Sequence, residues 1–195
     1  MKLTLHQNVI FRHLLCGYLN GGFSMRFFGV AILLGVAAIL AGCADSVSKP
    51  VPVLALAPEQ KSSLKIAEVT AEAASGVQIT QYDLDRIAGK LMGELALQAA
   101  DMMAAEGETA PVTMKVVFTE YDEGNAFARA MLAGLGQIEI EADVFLIDTA
   151  GKTFAQYEVS KTFAFGGVYG ASTSIEDVEV GFIRSVVEIV KEKKA

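Results

Sequence analysis

Histidine and cysteine are nearly missing from this 195-residue chain, and both are confined to its first 43 positions. His6 and His13 are the histidines, Cys16 and Cys43 the cysteines, and there is no tryptophan. Past Cys43 the chain has no imidazole and no thiol. That excludes Cys/His zinc sites, Ser-His-Asp triads, Cys-His dyads and internal disulfides from the C-terminal part. Basic groups are also scarce, 16 against 23 acidic ones. Such a surface repels phosphate backbones, so nucleic acid is excluded as a partner, and peripheral docking on anionic lipid is disfavoured.

One long apolar run is present. Phe27 to Leu40 reads FFGVAILLGVAAIL and follows Arg26. It is too short for a membrane-spanning helix, which needs about 20 apolar residues. A positive n-region, a short apolar h-region and then small residues make the order of a secretory signal. Leu40-Ala41-Gly42-Cys43 closes the run and resembles a bacterial lipobox, whose cysteine receives lipid and becomes the first mature residue. We read residues 25–42 as the lipoprotein signal, Met25 as the start of translation and residues 1–24 as a gene-model extension. Cleavage removes Lys2, Arg12 and Arg26 and no acid, which leaves 13 basic and 23 acidic groups, a formal charge of −10. Ala44 after the cysteine resembles the outer-membrane sorting pattern of enterobacterial lipoproteins, with inner-membrane retention as the alternative.

Residues 43–60 contain Pro50, Pro52 and Pro58 and read as a tether. At about 3.1 Å per residue it would hold a domain up to roughly 50 Å from the membrane. Prolines also suit sheet edges, so Val51 to Leu56 as an edge strand is the competing reading. Residues 61–195 read as a single domain. Leu64 to Ala71 alternates apolar and polar and predicts a strand. From Tyr82 to Glu106 the stripe Ile87, Leu91, Leu95 and Met102 predicts a helix, with Thr80 and Asp83 at its start and Gly107 at its end. Alternation predicts strands over Val112 to Tyr121, Gln137 to Ile147 and Lys152 to about Phe165, the last two joined by a tight turn at Asp148-Thr149-Ala150-Gly151. Ile175, Val178, Phe182, Val186 and Ile189 predict a final helix over Ile175 to Lys191, opened by a Ser174–Asp177 capping box. The expected fold is an α+β two-layer sandwich of order β-α-β-β-β-α. It has a mainly antiparallel sheet of about four strands, with both helices on one face.

Several motifs invite chemistry and fail on context. Gly151-Lys152-Thr153 lacks the first glycine and the following helix of a P-loop, and reads as a hairpin turn. Ser62-Ser63-Leu64-Lys65 matches S-x-x-K but lacks the companion motifs of the penicillin-binding serine enzymes. Asp122-Glu123-Gly124-Asn125 does not supply alternating calcium ligands. Glu139, Glu141 and Asp143 point away from the apolar face of their strand and read as a solvated sheet face. Gly166 to Gly170 reads as a flexible connection. No catalytic residue, cofactor or metal site is expected.

Asn125 to Gly136 (NAFARAMLAGLG) is too long for a simple turn. It either caps the sheet as a short helix, the preferred reading, or exposes an apolar patch to a partner. The candidate contact residues are Phe127, Arg129, Met131 and Leu132, with Tyr169 from the later glycine-rich segment.

Arg129, the Gly134/Gly136 pair opening an alternating strand, Asp148 and Gly151 at the turn, and Gly166-Gly167 before the last helix resemble bacterial envelope lipoproteins of the family called domain of unknown function 4410. The resemblance covers about residues 64–193. It implies a small α+β domain without an established enzymatic activity, and structural rather than catalytic importance for Arg129, Gly134, Gly136 and Gly151. The expectation is a non-enzymatic lipoprotein, attached to the membrane through lipid on Cys43, that binds another envelope component, a protein partner, as an accessory or assembly factor. The alternatives are a subunit of an oligomeric secretion or transport assembly, and a carboxylate-dependent envelope hydrolase using Glu139 and Asp143.

Overall fold

The computed structural model describes residues 45–47, 49–132 and 135–191. Cys43, the signal segment, residues 1–24 and Gly134 lie outside them. The elements in chain order are β1 (Asp45–Val47), β2 (Val51–Leu54), α1 (Pro58–Ser62), β3 (Ile66–Ala73), α2 (Gln81–Gln98), a 3-10 turn (Ala100–Met102), β4 (Val112–Asp122), α3 (Ala126–Met131), β5 (Ile138–Ile147), β6 (Thr153–Phe163), α4 (Gly167–Ser172) and α5 (Ile175–Val190). They form an α+β two-layer domain around one mixed, six-stranded sheet.

The sheet runs β1-β6-β5-β4-β3, with β2 also on β6. β4, β5 and β6 form an antiparallel meander. β3 pairs parallel to β4, with α2 inside the connection, as a parallel neighbour requires. On β4, Val112, Met114, Val116 and Phe118 face the core, and on β5 Ile138, Ile140, Ala142, Val144 and Leu146 do. Against them lie Leu84, Ile87, Leu91 and Leu95 of α2 and the apolar stripe of α5, with Phe182 stacked 5.5 Å from Phe118. Burying such side chains contributes roughly 1.5–3 kcal/mol each.

Two expectations are corrected. The described residues of the 43–60 segment do not form a free tether: β1 lies along the far half of β6 (Asp45 opposite Phe163) and β2 along the near half (Val51 opposite Glu158). Pro52 fits because an edge strand needs few donors, and the register slips between Pro52 and Leu54. These two strands raise the count from about four to six. Helix α2 ends at Ala99 rather than near Gly107, because Ala99 leaves helical geometry (φ −141°, ψ 44°). Met102 then enters the core and the Ala104 amide donates to the Ile66 carbonyl at 2.8 Å. Sheet contacts outcompete continued helix there.

Candidate functional site

The β4–β5 and β6–α5 connections build one end of the domain. Gly124 and Gly136 frame the first, both at positive φ (63° and 67°). A Cβ on Gly136 would sit 2.8 Å from that of Ala128 and collide with the Asn125 carbonyl. Asn125 caps α3, its side chain accepting from the Ala128 amide at 2.9 Å, and its own amide donates to the Gly136 carbonyl at 3.1 Å. In the second connection Gly166 caps α4 and Gly170 approaches the Phe165 carbonyl too closely for any side chain. The Gly166–Gly170 segment is therefore a helical turn, not the flexible connection expected.

Arg129 joins the two connections. Its guanidinium donates to the carbonyls of Glu123 (2.8 Å), Gly136 (2.8 Å), Gly170 (2.9 Å) and Thr173 (3.1 Å). Only the planar fork of arginine reaches so many acceptors at fixed angles. The residue is 4 % exposed, which corrects its candidacy for partner contact. Its charge is spent on backbone carbonyls, including two at the exit of α4 that the helix itself cannot satisfy.

The apolar side chains of this end point outward instead. Phe127 is 72 % and Val168 88 % exposed, and Met131, Leu132, Leu135 and Tyr169 are exposed too. The short helix of the preferred reading forms, as α3, but its apolar side chains do not pack on the core, and that part of the reading is overturned. Arg129 occupies the inward position of α3, so its apolar neighbours take the outward ones. Tyr169 sits edge-on to Phe163 (5.9 Å) and Phe165 (5.5 Å), which fixes its ring at the sheet end while leaving it accessible.

Beneath this end lies an ionic cluster that the sequence reading missed. Glu179 of α5 is fully buried and receives both arms of Arg86 from α2 (2.5 and 2.8 Å), Lys90 at 3.3 Å and the Tyr121 hydroxyl at 2.8 Å. Arg86 also meets Asp83 at 2.9 Å. The carboxylate of Glu179 keeps the Arg86 guanidinium protonated, while burial and then the Glu179 hydrogen bond push the Tyr121 phenol up. Hydrogen bonds from Thr80 and Arg86 pull Asp83 down. The cluster locks two helices and a strand together. Its one signal was an acid inside the apolar stripe of α5, four residues after Ile175. Lys161 is likewise on the core side, its stem against Gly181, where a Cβ would lie 2.6 Å from Cε.

The other face of the sheet carries the remaining candidates. Glu139 lies opposite Asp122, Glu141 opposite Glu120 and Asp143 opposite Glu158. Asp143, Glu141 and Glu158 line a shallow depression of about 320 Å³ with Lys49 and Ser160, and Glu139 is not among its lining residues. The two carboxylates named for hydrolysis are thus not brought together there. Ser62 donates to the Glu59 carbonyl and Lys65 to the Asp101 carbonyl, so the S-x-x-K residues hold α1 and the 3-10 turn. No group of acidic, histidine or cysteine side chains suited to a metal occurs among the described residues. No helix among them is long and apolar enough to cross a membrane.

Fold and site together define an α+β domain whose buried polar groups brace one apolar end. The chain belongs to the family Domain of unknown function (DUF4410), whose model matches residues 51–167. That span includes β2 through the start of α4 and the whole Arg129 loop. No curated protein matches the chain. Among solved structures, it is similar to the PelC L103M dodecamer from Paraburkholderia phytofirmans (11 % identity, 77 % of this chain and 99 % of that chain, TM-score 0.46). The PelC dodecamer of the same organism in another crystal form is similar at 13 % identity and TM-score 0.43, over the same shares.

Proposed function

We propose that this protein is a lipid-anchored lipoprotein of the outer membrane, its domain in the periplasm, that acts without catalysis by binding another envelope component. The lipobox-like Leu40-Ala41-Gly42-Cys43 supports the anchor. The observation that carries the binding role is the α3–α4 end: exposed apolar side chains on a scaffold immobilised by Arg129. Apolar side chains that merely had nowhere to go would not need a buried guanidinium and three constrained glycines beneath them. Large exposed apolar clusters on a soluble face mark contact surfaces.

The test has two arms. Palmitate labelling and membrane fractionation should lose both signals in Cys43→Ser. A photo-crosslinker at Met131 in intact cells should give a defined adduct, protein or lipid, and none when placed at Ala150. An unlabelled, freely soluble wild-type chain ends the anchor reading, and absence of any adduct at Met131 ends the binding reading.

A second reading is a subunit of an oligomeric assembly. Its support is the sheet's two unlike edges, β3 on one side and β1 with β2 on the other, which suit head-to-tail pairing between copies. Crosslinking would then yield a ladder of self-multiples.

A further inference from the structure

We propose that the α3–α4 end is a bilayer-contact surface, with Phe127, Met131, Leu132, Leu135, Val168 and Tyr169 resting in the headgroup–acyl boundary of the membrane that holds the lipid. The inference rests on the anchor reading of Cys43 and names what the apolar end binds.

Register carries the argument. Phe163, the last residue of β6, is paired with Asp45 on one side and with Ile138 on the other. Ile138 opens the strand that follows the α3 connection, and Phe163 precedes the turn into α4. Asp45 therefore stands in the row of residues from which both apolar connections spring. Neighbouring strands are about 4.8 Å apart, so the row is narrow. Only Ala44 separates Asp45 from Cys43. Two residues span at most about 7 Å, so the covalent chain limits an acyl group on Cys43 to about that reach from Asp45.

With Asp45–Val47, Val51–Leu54 and Pro58–Ser62 held in β1, β2 and α1, the described residues after Asp45 form no long tether that would lift the domain away. The end carrying the lipid must face the bilayer, and it is the end that displays the apolar cluster. The chemistry suits a membrane surface. Phe127 and Tyr169 supply rings, one with a polar tip, and Met131, Leu132, Leu135 and Val168 supply aliphatic surface. Helices α3 and α4 hold one charged residue between them, Arg129, and it is buried. The rest of the domain is acidic, so the attraction is apolar and the favoured surface is zwitterionic lipid. Acylation makes the second contact intramolecular, so even weak partitioning is occupied.

The chain has no tryptophan, which gives a clean probe. Lipidated full-length protein with Phe127→Trp, Val168→Trp or Ala150→Trp is reconstituted into phosphatidylcholine vesicles carrying brominated acyl chains. Ala150 is exposed in the β5–β6 turn, at the opposite end of the sheet. Emission at 127 and 168 should be quenched by roughly half and shifted to the blue, and emission at 150 should stay near its unquenched value. Equal emission at 127 and 150 in protein that floats with the vesicles overturns the proposal and leaves the anchor reading standing. So does a cellular protein adduct at Met131 combined with unquenched emission at 127, which would make the surface a protein interface. Failure of wild-type protein to be acylated at Cys43 or to float overturns the anchor reading and this proposal with it.

Discussion

The two ends of the sheet reverse the chain by different means. At one, β5 passes to β6 through residues 148–152, with Gly151 at φ 77° and the Asp148 carboxylate accepting the Ala150 and Lys152 amides at 2.9 Å. At the other, β4 reaches its equally antiparallel neighbour β5 only through residues 123–137, with a helix, two constrained glycines and a buried arginine. Five residues suffice for the first reversal, so the extra length of the second is not there to turn the chain. It displays side chains. The polar end closes on itself, and the apolar end is tied together by a guanidinium.

The contrast breaks most sharply at Arg129. Arg129→Met removes a donor from four carbonyls, of which Gly136 alone keeps a second one in the Asn125 amide, and should cost about 3 kcal/mol by urea denaturation, with amide exchange rising over residues 123–137 and 166–173 but not 148–152. Arg129→Lys, which keeps charge but not the fork, should recover only part of that. Glycine substitutions sharpen the comparison. Gly136→Ala combines positive φ with a collision and should cost about 2–3 kcal/mol, whereas Gly151→Ala, with open space around it, should cost about 1 kcal/mol. An equal loss at both sites would mean that the two ends are built alike. At the polar end alone, Asp148→Ala should cost about 1 kcal/mol, seen as a lower thermal midpoint.

The ionic cluster beneath the apolar end predicts an alkaline weakness. The folded phenol of Tyr121 is raised above its ordinary value of 10.0, so the folded state holds that proton more tightly. Its contribution is complete below pH 10, and is lost as the pH rises through 10 towards the folded value. Urea midpoints of Tyr121→Phe should fall less steeply above pH 10 than those of wild type. The smallest effect belongs to the display itself. Phe127→Ser should change stability by no more than about 0.5 kcal/mol, checked by denaturation, because the ring is exposed. A larger loss would place that ring in the core after all.

Strands β4, β5 and β6, the inward residues of β4 and β5 and the start of α5 were legible, because alternation and capping are local and the tertiary structure agrees with them. The ends of α2 and the fate of the proline segment were not. Whether Ala99 stays helical depends on Ile66, which is distant in sequence, and whether Pro52 is a tether or an edge depends on a partner over a hundred residues away. At the candidate site, the apolar segment and its glycines stood out, but Arg129 was assigned to the wrong side. An arginine between alanines reads as surface until four carbonyls from separate segments converge on it.

The sequence by itself determined which chemistries are missing downstream of Cys43, since no fold can supply an imidazole that is not encoded. It also determined the inward faces of the sheet and the α+β layering, because the periods of 2 and 3.6 are written residue by residue. Only the tertiary structure decided that the proline segment closes the sheet edge, that Glu179 and Arg129 are buried, and that Asp45 ends up beside the apolar connections. Those outcomes depend on contacts between residues far apart in the chain, whose energies no local pattern contains.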